Sequence, residues 1–192
     1  LVGSEMCIRD RDRVVFNFDN KYVNTKGVSD RVRRASIDYY IRQLQPGGDW
    51  AEYHNIVLSV RSLDEALRYW NSGIRQVMFC VEISSRADFE AYDASPIPWR
   101  YIMAYIRTAV DPRLQEVYDL LHARGVMTMT SIVETSDKVK NARDRNTAYL
   151  RELLAEPDII ETDYPSEFVE LPRSRREIHA LQDCALRSRS RK

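Results

Sequence analysis

The sequence predicts an α/β fold: a (β/α)8 barrel, incomplete, lacking its first strands. Three observations carry this. Short apolar runs recur, each β-branched or aromatic-rich and free of polar alternation, which is the pattern of strands buried on both faces. Segments of helical periodicity separate them, and regular strand-then-helix repetition means a parallel sheet, either a closed barrel or a doubly wound one. The strand centres fall near residues 16, 57, 79, 103, 129 and 160 of 192. Those steps suit βαβ units, and about six of them fall short of the roughly 250 residues of a full barrel. No strand is followed by a glycine-rich loop, so neither a dinucleotide fold nor a phosphate-binding P-loop is signalled.

The elements follow in order. Val14-Val15-Phe16 opens the series. Val28, Val32, Ala35, Tyr39, Tyr40 and Leu44 then recur near the helical period. Ile56-Val57-Leu58 is the next strand run. Ser62-Leu63-Asp64-Glu65 is a capping box, in which hydroxyl and carboxylate satisfy the first free N–H groups of a helix. Leu63, Ala66, Leu67 and Trp70 form its apolar face, and Gly73 closes it. Val77 to Val81 and Tyr101 to Ile106 are the next two strand runs. Asp111-Pro112 pairs an N-cap with proline at the first helical position, where a missing N–H costs nothing. Leu114, Val117, Leu120 and Leu121 continue that helix to Gly125. Val126 to Val133 is a strand run, Tyr149, Leu150, Leu153 and Leu154 a helical stripe before Pro157, and Ile159-Ile160 the last strand run.

Composition narrows the function classes. Lysine plus arginine and aspartate plus glutamate each number 29, so there is no net positive charge to draw a nucleic acid nonspecifically. Hydrophobic residues make up 44%, enough for a packed core. No apolar run reaches the roughly 18 residues needed to span a bilayer. The three cysteines and three histidines lack metal-ligand spacing. The compartment stays open: a signal peptide upstream, and with it a periplasmic or secreted location, is compatible with the sequence.

Both ends differ from the middle. Residues 1–11 include VGSEMCIRDR, which resembles the in-frame translation of a transposase adapter used in sequencing libraries, and are expected to be an artefact outside the fold. Residues 12–172 are expected to form the barrel portion. Residues 173–192 form a basic extension, with a solvated tail, an out-of-frame contig end and a binding segment as its three readings; no aromatics interleave with its charges.

Four segments carry a family resemblance. Pro157-Asp158-Ile159-Ile160-Glu161-Thr162-Asp163-Tyr164-Pro165 resembles the final strand of the glycerophosphodiester phosphodiesterases, and Phe16-Asn17-Phe18-Asp19-Asn20-Lys21 a mid-barrel strand of the same family. Ile56 to Ser59 and Gly125 to Val133 resemble two strands between them. The resemblance implies a TIM barrel that hydrolyses glycerophosphodiesters to an alcohol and glycerol 3-phosphate. It implies Ca2+ or Mg2+ held by carboxylates, a histidine pair as acid and base, and an arginine on the phosphoryl group. The histidines, the arginine and the first carboxylates belong to the family's first strands, so no catalytic residue is expected after residue 12.

Asp19 falls at the family's last metal-binding carboxylate and Lys21 at its phosphate-side lysine. Residues two apart on a strand share a face, so the two can act together, or form an ion pair without a ligand. Asn17 lies on that face too. Ser59 and Glu134 are the other substrate candidates; a serine bonded to backbone and a solvated loop carboxylate are the competing readings. Glu82 carries the same ambiguity. Asp163 is expected to fix the last loop rather than react, and His54 and His122 are read as structural. The tryptophan of the family's penultimate strand is absent, Ser131-Ile132-Val133-Glu134 standing in its place. Against the metal-dependent hydrolase stand two alternatives: a non-catalytic ligand-binding member of the same fold, and an unrelated TIM-barrel enzyme. A small-molecule partner is expected in each case.

Overall fold

A computed structural model describes residues 16–20, 25–107 and 111–168. The expected adapter segment, the basic extension and Lys21 lie outside the described residues.

Among the described residues six strands form one sheet in chain order: β1 (Phe16–Asp19), β2 (Ile56–Val60), β3 (Met78–Glu82), β4 (Ile102–Ile106), β5 (Met127–Ser131) and β6 (Ile159–Glu161). Five α-helices of the described residues alternate with them: α1 (Asp30–Leu44), α2 (Leu63–Asn71), α3 (Arg86–Asp93), α4 (Gln115–Ala123) and α5 (Ala142–Leu153). A doubly wound sheet reverses its strand order at a switch point. Sequential order is instead that of a (β/α) barrel wall. The described residues form two compact units, one made of those from 16 to 82 with 90–104, the other of 83–89 with those from 105 to 168.

In the first unit β1, β2 and β3 run parallel, with Asp19 opposite Ser59 and Ser59 opposite Cys80. The helix-side residues of these strands are apolar and buried, among them Ile56, Leu58, Phe79 and Val81. Phe18 packs on Trp50 with ring centroids 5.1 Å apart. The expected capping box is formed in half: the Ser62 hydroxyl accepts the Glu65 N–H at 3.2 Å, while the Glu65 carboxylate accepts the N–H of Arg61, one residue before the cap, at 2.9 Å. Gly73 ends α2 at a φ of 85°, a left-handed conformation that side chains resist. Arg68 of α2 pairs with Asp38 of α1 at 2.6 Å.

In the second unit β5 and β6 run parallel, with Ser131 opposite Glu161. Asp111 caps the turn Pro112–Leu114 that leads into α4, accepting the Arg113 N–H at 3.0 Å. Asp158 ties the start of β6 to β5, its carboxylate accepting the Thr128 N–H at 2.7 Å and the Thr128 hydroxyl at 3.0 Å.

Two elements depart from the sequence pattern. Helix α3 was not expected, because Arg86–Asp93 holds only Phe89 and Tyr92 as buried apolar residues. Helix α5 begins at Ala142, ahead of the apolar stripe, because the Asn141 side chain accepts the N–H groups of Arg143 and Asp144.

Candidate functional site

A (β/α) barrel does its chemistry at the C-terminal ends of its strands, so each unit is read there. In the first unit, β1 alternates Phe16 and Phe18 with Asn17 and Asp19. The Ser59 hydroxyl donates to the Asn17 side-chain oxygen at 2.9 Å. Ser59 is therefore held by a side chain on the opposite strand. Asp19 is the last residue of β1 and exposed, level with Ser59. It also borders an open groove of about 540 Å³, shared with Asn20 and with Val32, Ser36, Tyr39 and Tyr40 of α1. Burial raises the Tyr40 pKa above the usual phenol value, and the Asp19 charge adds to the rise. Glu82 ends β3 and is exposed. Asp19, Ser59 and Glu82 thus all stand at strand C-terminal ends, and Ser59 is joined to Asn17.

In the second unit, Glu134 lies in the turn after β5, where Lys138 approaches it to 3.7 Å; its side chain is 84% exposed. The organising residue is one that the sequence did not single out. Asp137 is buried, and its carboxylate accepts the Tyr149 hydroxyl at 2.7 Å, the Thr162 hydroxyl at 2.9 Å and the Asp163 N–H at 2.7 Å. The Thr162 oxygen in turn accepts the Tyr164 N–H at 3.0 Å. No local pattern marks Asp137, since its partners lie 12, 25 and 26 residues away. The Thr162-Asp163 pair of the strand motif is therefore built into a loop clasp through its hydroxyl and backbone. Glu161, within the same strand motif, is exposed at the end of β6 and level with Ser131.

The fit to a divalent ion is partial. Such an ion takes six or more oxygens, and among the described residues no group of three or more His, Cys, Asp or Glu is gathered. Asp19 offers one hard donor, which by itself does not hold the ion. The two histidines among the described residues are remote from strand C-terminal ends: His54 stands just before β2, and His122 closes α4 ahead of β5. Both are exposed. Among the described residues no helix is long and apolar enough to cross a membrane.

No family model matches the chain, and no curated protein matches it. One solved structure does: a glycerophosphoryl diester phosphodiesterase from Parabacteroides distasonis ATCC 8503, at a TM-score of 0.65 and 26% identity. The match covers 93% of this chain and 55% of that one. The chain thus spans about half the length of the relative. Sequential βα units, the Pro157–Pro165 strand motif and this match together make the chain similar to a glycerophosphoryl diester phosphodiesterase over most of its length.

Proposed function

We propose that the chain carries the C-terminal βα units of an enzyme that hydrolyses glycerophosphodiesters to an alcohol and glycerol 3-phosphate. The observation that supports this reading is the likeness, over 93% of the chain, to a protein described as a glycerophosphoryl diester phosphodiesterase. In this reading the barrel lacks its first strands here, and the acid, base and remaining metal carboxylates belong to them. Asp19 contributes one oxygen toward a calcium or magnesium ion, a hard donor for a hard cation. Lys21 is assigned to the phosphate as a positive point charge. Ser59, whose hydroxyl donates to Asn17, is left to accept from a substrate hydroxyl through its oxygen, and Glu134 accepts a hydroxyl of the departing alcohol. When bound, the ion polarises the phosphoryl oxygen.

The test is an assay of glycerophosphodiester hydrolysis with added calcium or magnesium. It uses this chain and the same chain extended upstream. The extended protein is expected to turn over, and the present chain to stay at background. Metal-dependent turnover by the present chain would show that the described residues carry the chemistry. An extended chain that binds the diester without cleaving it would make the protein a ligand-binding member of the fold. The absence of a histidine at the described strand C-terminal ends keeps that second outcome in view.

A further inference from the structure

We infer that Asp137 is a positioning residue: its carboxylate fixes the backbone after β6, and with it Asp163 and Tyr164, at the C-terminal end of the second unit's strands. The chemistry of its partners supports this. Both oxygens are engaged, Oδ1 by the Tyr149 hydroxyl at 2.7 Å, Oδ2 by the Asp163 N–H at 2.7 Å, and both by the Thr162 hydroxyl at 2.9 Å. Bonds to an ionised acceptor are shorter and stronger than neutral ones. A buried carboxylate without such donors is expensive. Three segments therefore meet on one side chain: the turn Ser136–Lys138 after β5, helix α5 through Tyr149, and the turn after β6.

What the clasp holds is exposed and chemically able. Asp163 stands at the surface, and the Tyr164 ring, itself 40% exposed, lies under the Arg145 guanidinium at 4.3 Å. The Asp163 side chain is kept at the rim because its own backbone N–H is tethered beneath it. The proposed hydrolase reading enters only in naming that rim a substrate mouth. The experiment below reads the rim itself, so its failure is separate from any failure of the assay.

The test is amide hydrogen exchange on the full chain, comparing wild type with Asp137→Ala, Asp137→Asn and Thr162→Val. Loss of a charged acceptor should speed exchange at the Asp163 amide by about tenfold or more in Asp137→Ala. Asp137→Asn should fall between the two, since one acceptor oxygen remains. Thr162→Val should speed exchange at the Tyr164 amide, which bonds the Thr162 hydroxyl directly, by about threefold or more. Amides inside β5 and β6 should keep their wild-type rates. If Asp163 retains full protection in Asp137→Ala, the inference falls. It falls equally if exchange rises in step at every amide of the unit, which is the mark of general destabilisation. Should Asp137→Ala fail to fold, Thr162→Val and Asp137→Asn decide the question on the same two amides.

Discussion

Glu65 shows how a single residue of this fold trades solvation for local order. It serves the helix α2 cap from a buried position, with its carboxylate accepting the Arg61 N–H. Burial raises its pKa above the usual glutamate value; the Arg61 N–H and the Arg61 charge pull the other way without cancelling it. A carboxyl group whose pKa is raised by folding binds its proton more tightly in the native state. Its contribution is therefore fully present below the unfolded-state pKa and is lost as pH rises through the elevated native value. Glu65→Gln keeps an acceptor for the Arg61 N–H and removes the titration. The urea midpoint of the variant, measured against wild type at pH 4 and at pH 7, should shift in the variant's favour at the higher pH. A difference that stays constant between the two pH values would mean that Glu65 keeps an ordinary pKa in the folded state.

At the scale of the element, helix α2 is the most legible part of the chain. Ser62, Glu65 and Gly73 are local signals three to eight residues apart, and each reports on backbone groups that any α-helix leaves unsatisfied. The helix then buries Ala66 and Tyr69. Ser62→Ala removes the acceptor of the Glu65 N–H and should cost about 1 kcal/mol of stability, with Ser62→Thr restoring most of it. Denaturant unfolding checks this, and a loss below about 0.3 kcal/mol would show that Glu65 alone suffices for the cap. Strands β2, β3 and β4 were equally legible because both of their faces are apolar and buried, which leaves continuous hydrophobic runs. What was not legible is long-range. Asp137 and Glu65 both look like solvated carboxylates in the sequence. Glu65 has a partner four residues away and a motif that names it, whereas the partners of Asp137 become neighbours only when β5 and β6 pair. Helix α3 escaped because it turns only two apolar side chains inward. Of the candidate site, the strand-end positions of Asp19, Ser59 and Glu82 followed from strand alternation. The bond from Ser59 to Asn17 required knowing that β1 and β2 are parallel neighbours.

For the whole molecule, metal affinity is the quantity that tests the proposed function. A hard dication needs several anionic oxygens at about 2.0–2.6 Å. The described residues gather no such set: Asp19 stands at the end of β1, and Glu82 is two strands away at the end of β3. With equal numbers of acidic and basic residues, the chain also lacks a general negative charge to concentrate cations. Calorimetric titration of the present chain with calcium or magnesium should therefore show no saturable site tighter than about 1 mM, the weak end of protein calcium sites. Under the proposed function, the chain extended upstream should bind if the added residues bring further carboxylates to Asp19. In that protein, Asp19→Asn preserves size and removes one charge. It should weaken metal binding and cut turnover by roughly 10- to 1000-fold, the range for loss of one electrostatic contact to the reacting group. Lys21→Met should lower turnover while leaving metal affinity intact or improved, since it removes a neighbouring positive charge. Metal affinity and rate that are both unchanged in Asp19→Asn would place Asp19 among the structural residues at the end of β1. The ion would then have to be held by other oxygens of the extended chain.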